Sequence, residues 1–307
     1  MMKIIVLGSA AGGGYPQWNC NCHNCDGLRR GAIRSRPRTQ SSIAISANGQ
    51  DWLLVNASPD ILTQIRATPA LQPARTARDS GIAAVLLMDA QVDHVTGLMM
   101  LREGKRIHLY CSAAVWEDLN AGLPLARVLS HYCGVEWHEL PVAQGDRCSF
   151  SVPQLEGLRF TAVPLDSKAP PYSPHRDAPV AGDNIGLLVQ DLATGSKLFY
   201  APGLGSISPT TAAAMREADC LMVDGTFWTE DEMITLRFSS KPAAAMGHLP
   251  QSGPGGMIEV LDGLPASRKV LIHINNTNPI LDEEAPQHVL LRRHGIEVAF
   301  DGMELEL

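Results

Sequence analysis

The chain has 307 residues, 45% of them hydrophobic and 19% charged, with a formal net charge of −7. That composition is globular, with ample material for a core, and the negative balance with no basic run against it argues against nucleic acid or anionic membranes as partners. No stretch approaches the ~20 apolar residues of a membrane helix, and the apolar run Ile4 to Leu7, broken by glycines, is too short for a secretory signal; a soluble cytoplasmic protein is expected.

In chain order, short apolar runs bounded by Gly, Pro, Asn or Asp recur: KIIVLGS, SSIAIS, WLLVNAS, IAAVLLM, RIHLYCS, LRFTAVPL, NIGLLVQ, KLFYAP, CLMVDG, KVLIHIN and IEVAFDG. Each carries the signature of a strand. Helices are predicted in SPTTAAAMREA, with Ser208 as N-cap and Pro209 behind it, in GGMIEVLDGL, and in APQHVLLRRHG, closed by Gly295. About eleven strands mixed with helices, without a linker or repeat, favour one α/β domain over residues 1–307. Two stretches, 166–183 and 237–256, are proline-rich and unpatterned. Loops beyond about 15 residues in a compact domain are usually functional covers, so both are expected to be lids, with surface insertions as the alternative.

The first strand runs into GSAAGGG. It lacks GxGxxG spacing and no helix follows, so tight turns explain it better than a dinucleotide site. Then comes CNCHNC. In a reducing compartment, Cys20, Cys22 and Cys25 so close together read as a metal site rather than a disulfide, the alternative being three bare thiols. Cys111 and Cys220 fall in strand-like runs and are expected to pack as small hydrophobes.

Polar residues gather where apolar strands end. IAAVLLM runs into Asp89, Gln91, Asp93 and His94; LRFTAVPL into Asp166; CLMV into Asp224; KVLI into His273. Taken singly, an Asp after a strand is most often a turn residue. Four such ends on one rim point to a shared metal site, with a plain hydrogen-bonded network as the rival reading. His175 and His248, inside the two long loops, are placed to reach a substrate or deliver protons, unless they are simply exposed. Arg34, Arg36 and Arg38 suit a substrate carboxylate, Arg38 above all, though a solvated face explains the run equally well. His131, His138, His288 and His294 read as surface or core histidines.

A strand, the turn DAQVDH and then VTGLMMLRE, which looks helical, resemble the metallo-β-lactamase superfamily, whose motif is HxHxDH followed by Gly-Leu. That resemblance implies an αββα sandwich of two mixed sheets flanked by helices. It also implies a loss: Asp89 and Gln91 replace the leading histidines, the third histidine falls near Asp166, and the bridging aspartate falls around Ala201 and Pro202. Asp93, His94 and His273 survive, the ligand set of a facial triad on Fe(II) with positions free for O2. Asp89, Gln91, Asp166 and Asp224 would then orient the ligating histidines.

More closely, GSAAGGGYPQWNCNCHNC, RTQSSIAIS, NASPDI, DAQVDHVTGLMMLREG, YAPGLG, HINNTNPIL and FDGMELEL resemble the B-protein family of pyrroloquinoline quinone (PQQ) biosynthesis from end to end. The resemblance implies an iron- and O2-dependent hydroxylation of the tyrosine ring of a Glu–Tyr-derived precursor. A carrier of the quinone or its precursor is one alternative, and a phosphodiesterase-type metallohydrolase, with a second ion on Asp89 and Asp166, is the other. The CxCxxC cluster is similar to that of the cyclic phosphodiesterases of phosphonate metabolism, where it holds a structural zinc. By position that implies Zn(II) on Cys20, Cys22, Cys25 and Asn276, with His23 or His248 as the alternative fourth ligand. The partner expected is a small peptide or quinone precursor; a homodimer and contacts with other proteins of the pathway are left open.

Overall fold

The structure, a computed structural model, describes residues 1–307. Fourteen strands form: β1 (Lys3–Gly8), β2 (Ser42–Ser46), β3 (Trp52–Val55), β4 (Ile82–Leu86), β5 (Ile107–Ser112), β6 (Val135–Leu140), β7 (Cys148–Phe150), β8 (Leu158–Pro164), β9 (Ile185–Asp191), β10 (Lys197–Ala201), β11 (Cys220–Asp224), β12 (Arg268–Ile272), β13 (Ile296–Val298) and β14 (Glu304–Glu306). Nine α-helices lie between them: α1 (His23–Arg30), α2 (Ile61–Ala67), α3 (Val92–Val95), α4 (Ala113–Asp118), α5 (Leu125–Leu129), α6 (Pro209–Glu217), α7 (Glu232–Thr235), α8 (Met257–Asp262) and α9 (Pro286–Arg293).

Two seven-stranded sheets result, ordered β14-β1-β2-β3-β4-β5-β6 and β13-β12-β11-β10-β9-β8-β7. Read from β14 and from β7, each has three antiparallel pairings followed by three parallel ones. The topology is thus duplicated although the sequence shows no repeat.

Strand alternation sorts the apolar residues into three layers. Ile43 and Ile45 of β2 and Cys220 and Met222 of β11 face inward, within a cluster of 29 buried residues between the sheets. Ala44 faces the helices on one outer side, Leu221 and Val223 those on the other. Strands apolar on both faces read as continuous runs, which is why they stand out in the sequence. This is the αββα sandwich of two mixed sheets. Cys111 and Cys220 are fully buried, as expected.

The predicted caps form: the Ser208 side chain accepts from Thr211 N–H with Pro209 in the first turn, and Gly295 takes a positive φ just past α9. The run after DAQVDH differs. It makes only one α-turn, then tightens to a 3₁₀ helix over Thr96–Leu101. Gly97 N–H donates to Ala57 O, and a Cβ on Gly97 would lie 2.0 Å from Ser58 O. That close approach docks the segment on the β3–α2 loop and fixes the turn carrying Asp93 and His94. No helix is long and apolar enough to cross a membrane.

Candidate metal centre

Parallel strands present their C-terminal ends at one edge, and in open α/β sheets that is where sites form. Here the end of β4 supplies Asp89, Asp93 and His94, the end of β11 supplies Asp224, and the end of β12 supplies His273. Single donor atoms of Asp93, His94 and His273 lie within 4.8 Å of one another. Asp93 Oδ2 is 3.5 Å from His273 Nε2 and 3.9 Å from His94 Nε2, and the two rings meet edge-on with centroids 5.4 Å apart.

Each imidazole is held from behind. His94 Nδ1 lies 2.8 and 2.9 Å from the two oxygens of Asp89, so its N–H donates there and the Nε2 lone pair faces the site. The Thr226 hydroxyl donates to Asp224 Oδ1 at 2.6 Å and accepts from His273 Nδ1–H at 2.9 Å, which turns His273 Nε2 toward Asp93. His273 is bent to φ 61, a conformation few non-glycine residues adopt and one that clusters at functional sites. The bend is braced by Ile274 N–H donating to Ser9 O and by Thr226 beside His273 O.

His94 Nε2 is buried and has no hydrogen-bond partner. An orphaned lone pair costs about 1–3 kcal/mol unless something fills it, and two imidazole nitrogens beside one carboxylate fit a cation. The charges agree. Burial opposes the charged form of Asp93, yet His94 and a hydrogen bond with His273 hold its carboxyl well below the usual range. Burial likewise lowers His94, but Asp89 and Asp93 reverse this and push it up to about 9. The cluster is short of one positive charge, which a proton or a metal ion can supply.

Beside it lies a second buried pair. His248 Nδ1 is 2.7 Å from Asp224 Oδ2, and its ring stacks on His273 at 5.4 Å. Burial opposes both charges; their mutual attraction wins, lowering Asp224 and raising His248. The stretch 237–256 therefore brings a histidine into the site. The stretch 166–183 touches the site through Tyr172, whose hydroxyl donates to Ala90 O. His175, in the same stretch, pairs with Glu117 at 2.9 Å and is tied to α4.

Several expected residues lie elsewhere. Asp166 is exposed and its side chain makes no hydrogen bond, although its neighbour Leu165 is buried and still pairs with Asn184. The Gln91 side chain is also unbonded; only its backbone is used, as the N-cap of α3. Arg38 is not a substrate group: it is 5% exposed, and its guanidinium donates to Ser9 Oγ and Ala299 O, locking the N-terminal loop to the C-terminal segment. Arg34 and Arg36 pair with Glu283 and Glu284 at the surface. Three contributors escaped the sequence reading. Thr226 could have been found from its place two residues after Asp224. Gly12 sits so that a Cβ would lie 3.2 Å from Asp93 Oδ2, and Tyr172 left no signal at all.

The cysteines form a separate centre. Cys20, Cys22 and Cys25 converge on the Asn276 amide, with Nδ2 at 3.0, 3.6 and 3.4 Å from their sulfurs. Rotating the amide by half a turn aims Oδ1 at the same point. His23 is exposed, and His248 is bound to Asp224; neither joins this group. Burial pushes the Cys22 thiol up to about 12, with the neighbouring thiols adding to it, whereas at Cys20 burial is outweighed by hydrogen bonds from Cys22, Cys25 and Asn276, which lower it. Thiolates this close favour a cation between them.

The β-lactamase superfamily domain model matches residues 51–274. A curated relative from Cupriavidus necator, the coenzyme PQQ synthesis protein B, is 64% identical over the whole of both chains, and its namesake from an Azoarcus species is 62% identical, again over both chains. Among solved structures, the Zn(2+)-bound PqqB of Methylobacterium extorquens is 36% identical and superposes with a TM-score of 0.88, covering 99% of this chain and 100% of its own. The chain belongs to the coenzyme PQQ synthesis protein B family, within the β-lactamase superfamily.

Proposed function

We propose that this chain acts in coenzyme PQQ synthesis as an oxygenase, hydroxylating the tyrosine ring of a Glu–Tyr-derived precursor at an Fe(II) held by Asp93, His94 and His273. The observation that carries the reading is the donor set: two imidazoles and one carboxylate whose donor atoms converge, with His94 Nε2 buried and unpartnered, the composition of a facial triad. Bound there, iron supplies the redox chemistry between dioxygen, an external reductant and the ring. The chain's own residues do the rest. Asp89 and Thr226 hold the imidazoles in the ligating tautomer. His248, paired with Asp224 and raised by it, stands at the edge of the site and is the candidate proton donor to a substrate oxygen. Tyr172 ties its loop to Ala90 O beside Asp89, and Gly12 leaves room for the Asp93 carboxylate.

A two-ion hydrolase is not favoured by the geometry. Both oxygens of Asp89 hold His94, and the exposed Asp166 side chain joins none of the donor groups gathered at the rim, so a second ion on these two residues is not supported. For the cysteines we propose a structural Zn(II) on Cys20, Cys22, Cys25 and Asn276, with every position closed.

The test is oxygen uptake by anaerobically iron-loaded protein given a Glu–Tyr peptide and ascorbate. Iron-dependent uptake with ring hydroxylation, lost in Asp93→Ala, is the expected result. Peptide or quinone binding without uptake would favour a carrier, and phosphoester turnover a hydrolase.

A further inference from the structure

His138 reads in the sequence as an ordinary surface histidine, yet it stands in a third constellation of metal-ligating groups that shares no residue with the two centres above. Strands β5 and β6 run parallel with His108 opposite Glu136 and Tyr110 opposite His138. All four project from one face of the sheet. It is the inner face, since Tyr110 and Leu140 belong to the inter-sheet core. Strand β6 has no further neighbour, so the row runs out of the core into solvent: the side chains of His108, Glu136 and His138 are 38%, 48% and 31% exposed.

Their donor atoms are already gathered. His108 Nδ1 is 3.1 Å from His138 Nε2, and Glu136 oxygens lie 3.7 Å from each of those nitrogens. A tetrahedral ion with bonds of about 2.0–2.1 Å holds its donors about 3.3–3.4 Å apart, the edge of the tetrahedron. The nitrogen–nitrogen separation lies a little under that value, and each nitrogen lies a little over it from one of the two Glu136 oxygens, so a small closing of these half-exposed side chains brings one donor from each onto an ion. No other protein group hydrogen-bonds to these three side chains. The His138 ring is preset by stacking on buried Tyr110, centroids 4.4 Å apart and 11° from parallel, and Tyr110 in turn stacks on Phe150. Little side-chain entropy is left to lose on binding.

We propose that His108, Glu136 and His138 form a site for a late first-row divalent cation, of the Zn(II) or Cu(II) kind. Two imidazoles and one carboxylate select such ions over Mg(II) and Ca(II), which take oxygen. The exposed side leaves a coordination position for water. An ion there clips the edge strand to its neighbour and seals the open end of the sandwich, stabilising the fold by mass action.

The experiment titrates ZnCl2 and CuCl2 separately into the full-length Asp93→Ala protein, which silences the rim while the cysteine centre stays constant in every arm. Adding His108→Gln or His138→Gln to that background is expected to remove one bound ion per chain or weaken it at least about 10-fold. Zinc is expected to raise the melting temperature only when both histidines are present, and the Cu(II) paramagnetic resonance spectrum is expected to show two nitrogen donors. His108 is not stacked on Tyr110, so its variant guards against a packing defect in the His138 one; circular dichroism checks both. Unchanged stoichiometry and affinity in the two folded variants would overturn the proposal.

Discussion

The rim and the cysteine centre are both three-donor clusters, and they are built in opposite ways. Around the cysteines the chain braces the donors with its own groups: Asn276 sits on the three sulfurs, Cys22 caps α1, and Asn24 ties the loop to Asn276 O and Asn278 O. At the rim the donors are fixed from behind by Asp89 and Thr226, while His94 Nε2 in front has no partner. Which atoms support the ligands, more than which ligands are present, separates a centre that staples a loop from one that can react.

The comparison breaks most visibly by deleting a donor. Asp93→Ala or His94→Ala should abolish iron binding at the rim, leaving less than about 1% of the metal-dependent activity, with cysteine-bound zinc unchanged by elemental analysis. Asp89→Ala keeps every donor but frees the His94 ring, and should weaken iron binding about 10–100-fold. The converse, Cys25→Ser, should remove one zinc per chain and lower the melting temperature by several degrees, on the order expected for losing a few kcal/mol in a chain of this size. Rim affinity should fall only modestly, through the loop that carries Gly12.

Proton competition sharpens the same contrast. With His94 raised to about 9 in the metal-free protein, a proton and the ion contend for one lone pair. Below that value each ion displaces a proton, so apparent rim affinity should climb about tenfold per pH unit from 7 to about 9 and then level off. In Asp89→Ala, which removes the chief partner that raises His94, the levelling-off should move to lower pH. Smallest is Gly12→Ala: its Cβ would lie 3.2 Å from Asp93 Oδ2, a few tenths of an ångström too near, and a loss of affinity of about 2–5-fold is expected by iron titration.

The sheets were legible because strands apolar on both faces leave unbroken runs, and the rim because acids and histidines stop those runs abruptly. The edge strands β6, β7 and β14 were not. VEWHEL is half exposed, CSF and ELE are three residues long, and none carries an apolar run. Asp166 misled because a turn acid and a site acid leave the same mark after a strand. Arg38 misled because its partners Ala299 and Asp301 lie more than 260 residues away, so burial turned an apparent surface cation into a core clamp. Asn276 was placed correctly by its spacing from His273, while Tyr172 acts through its hydroxyl on a backbone carbonyl, which no pattern announces.

The most direct measurement is a crystal structure of the iron-loaded protein with anomalous data collected at the iron edge. One iron peak about 2.0–2.2 Å from His94 Nε2, His273 Nε2 and an Asp93 oxygen is the predicted result. Iron found only among the cysteines, or bound at the rim without His94, would contradict the account.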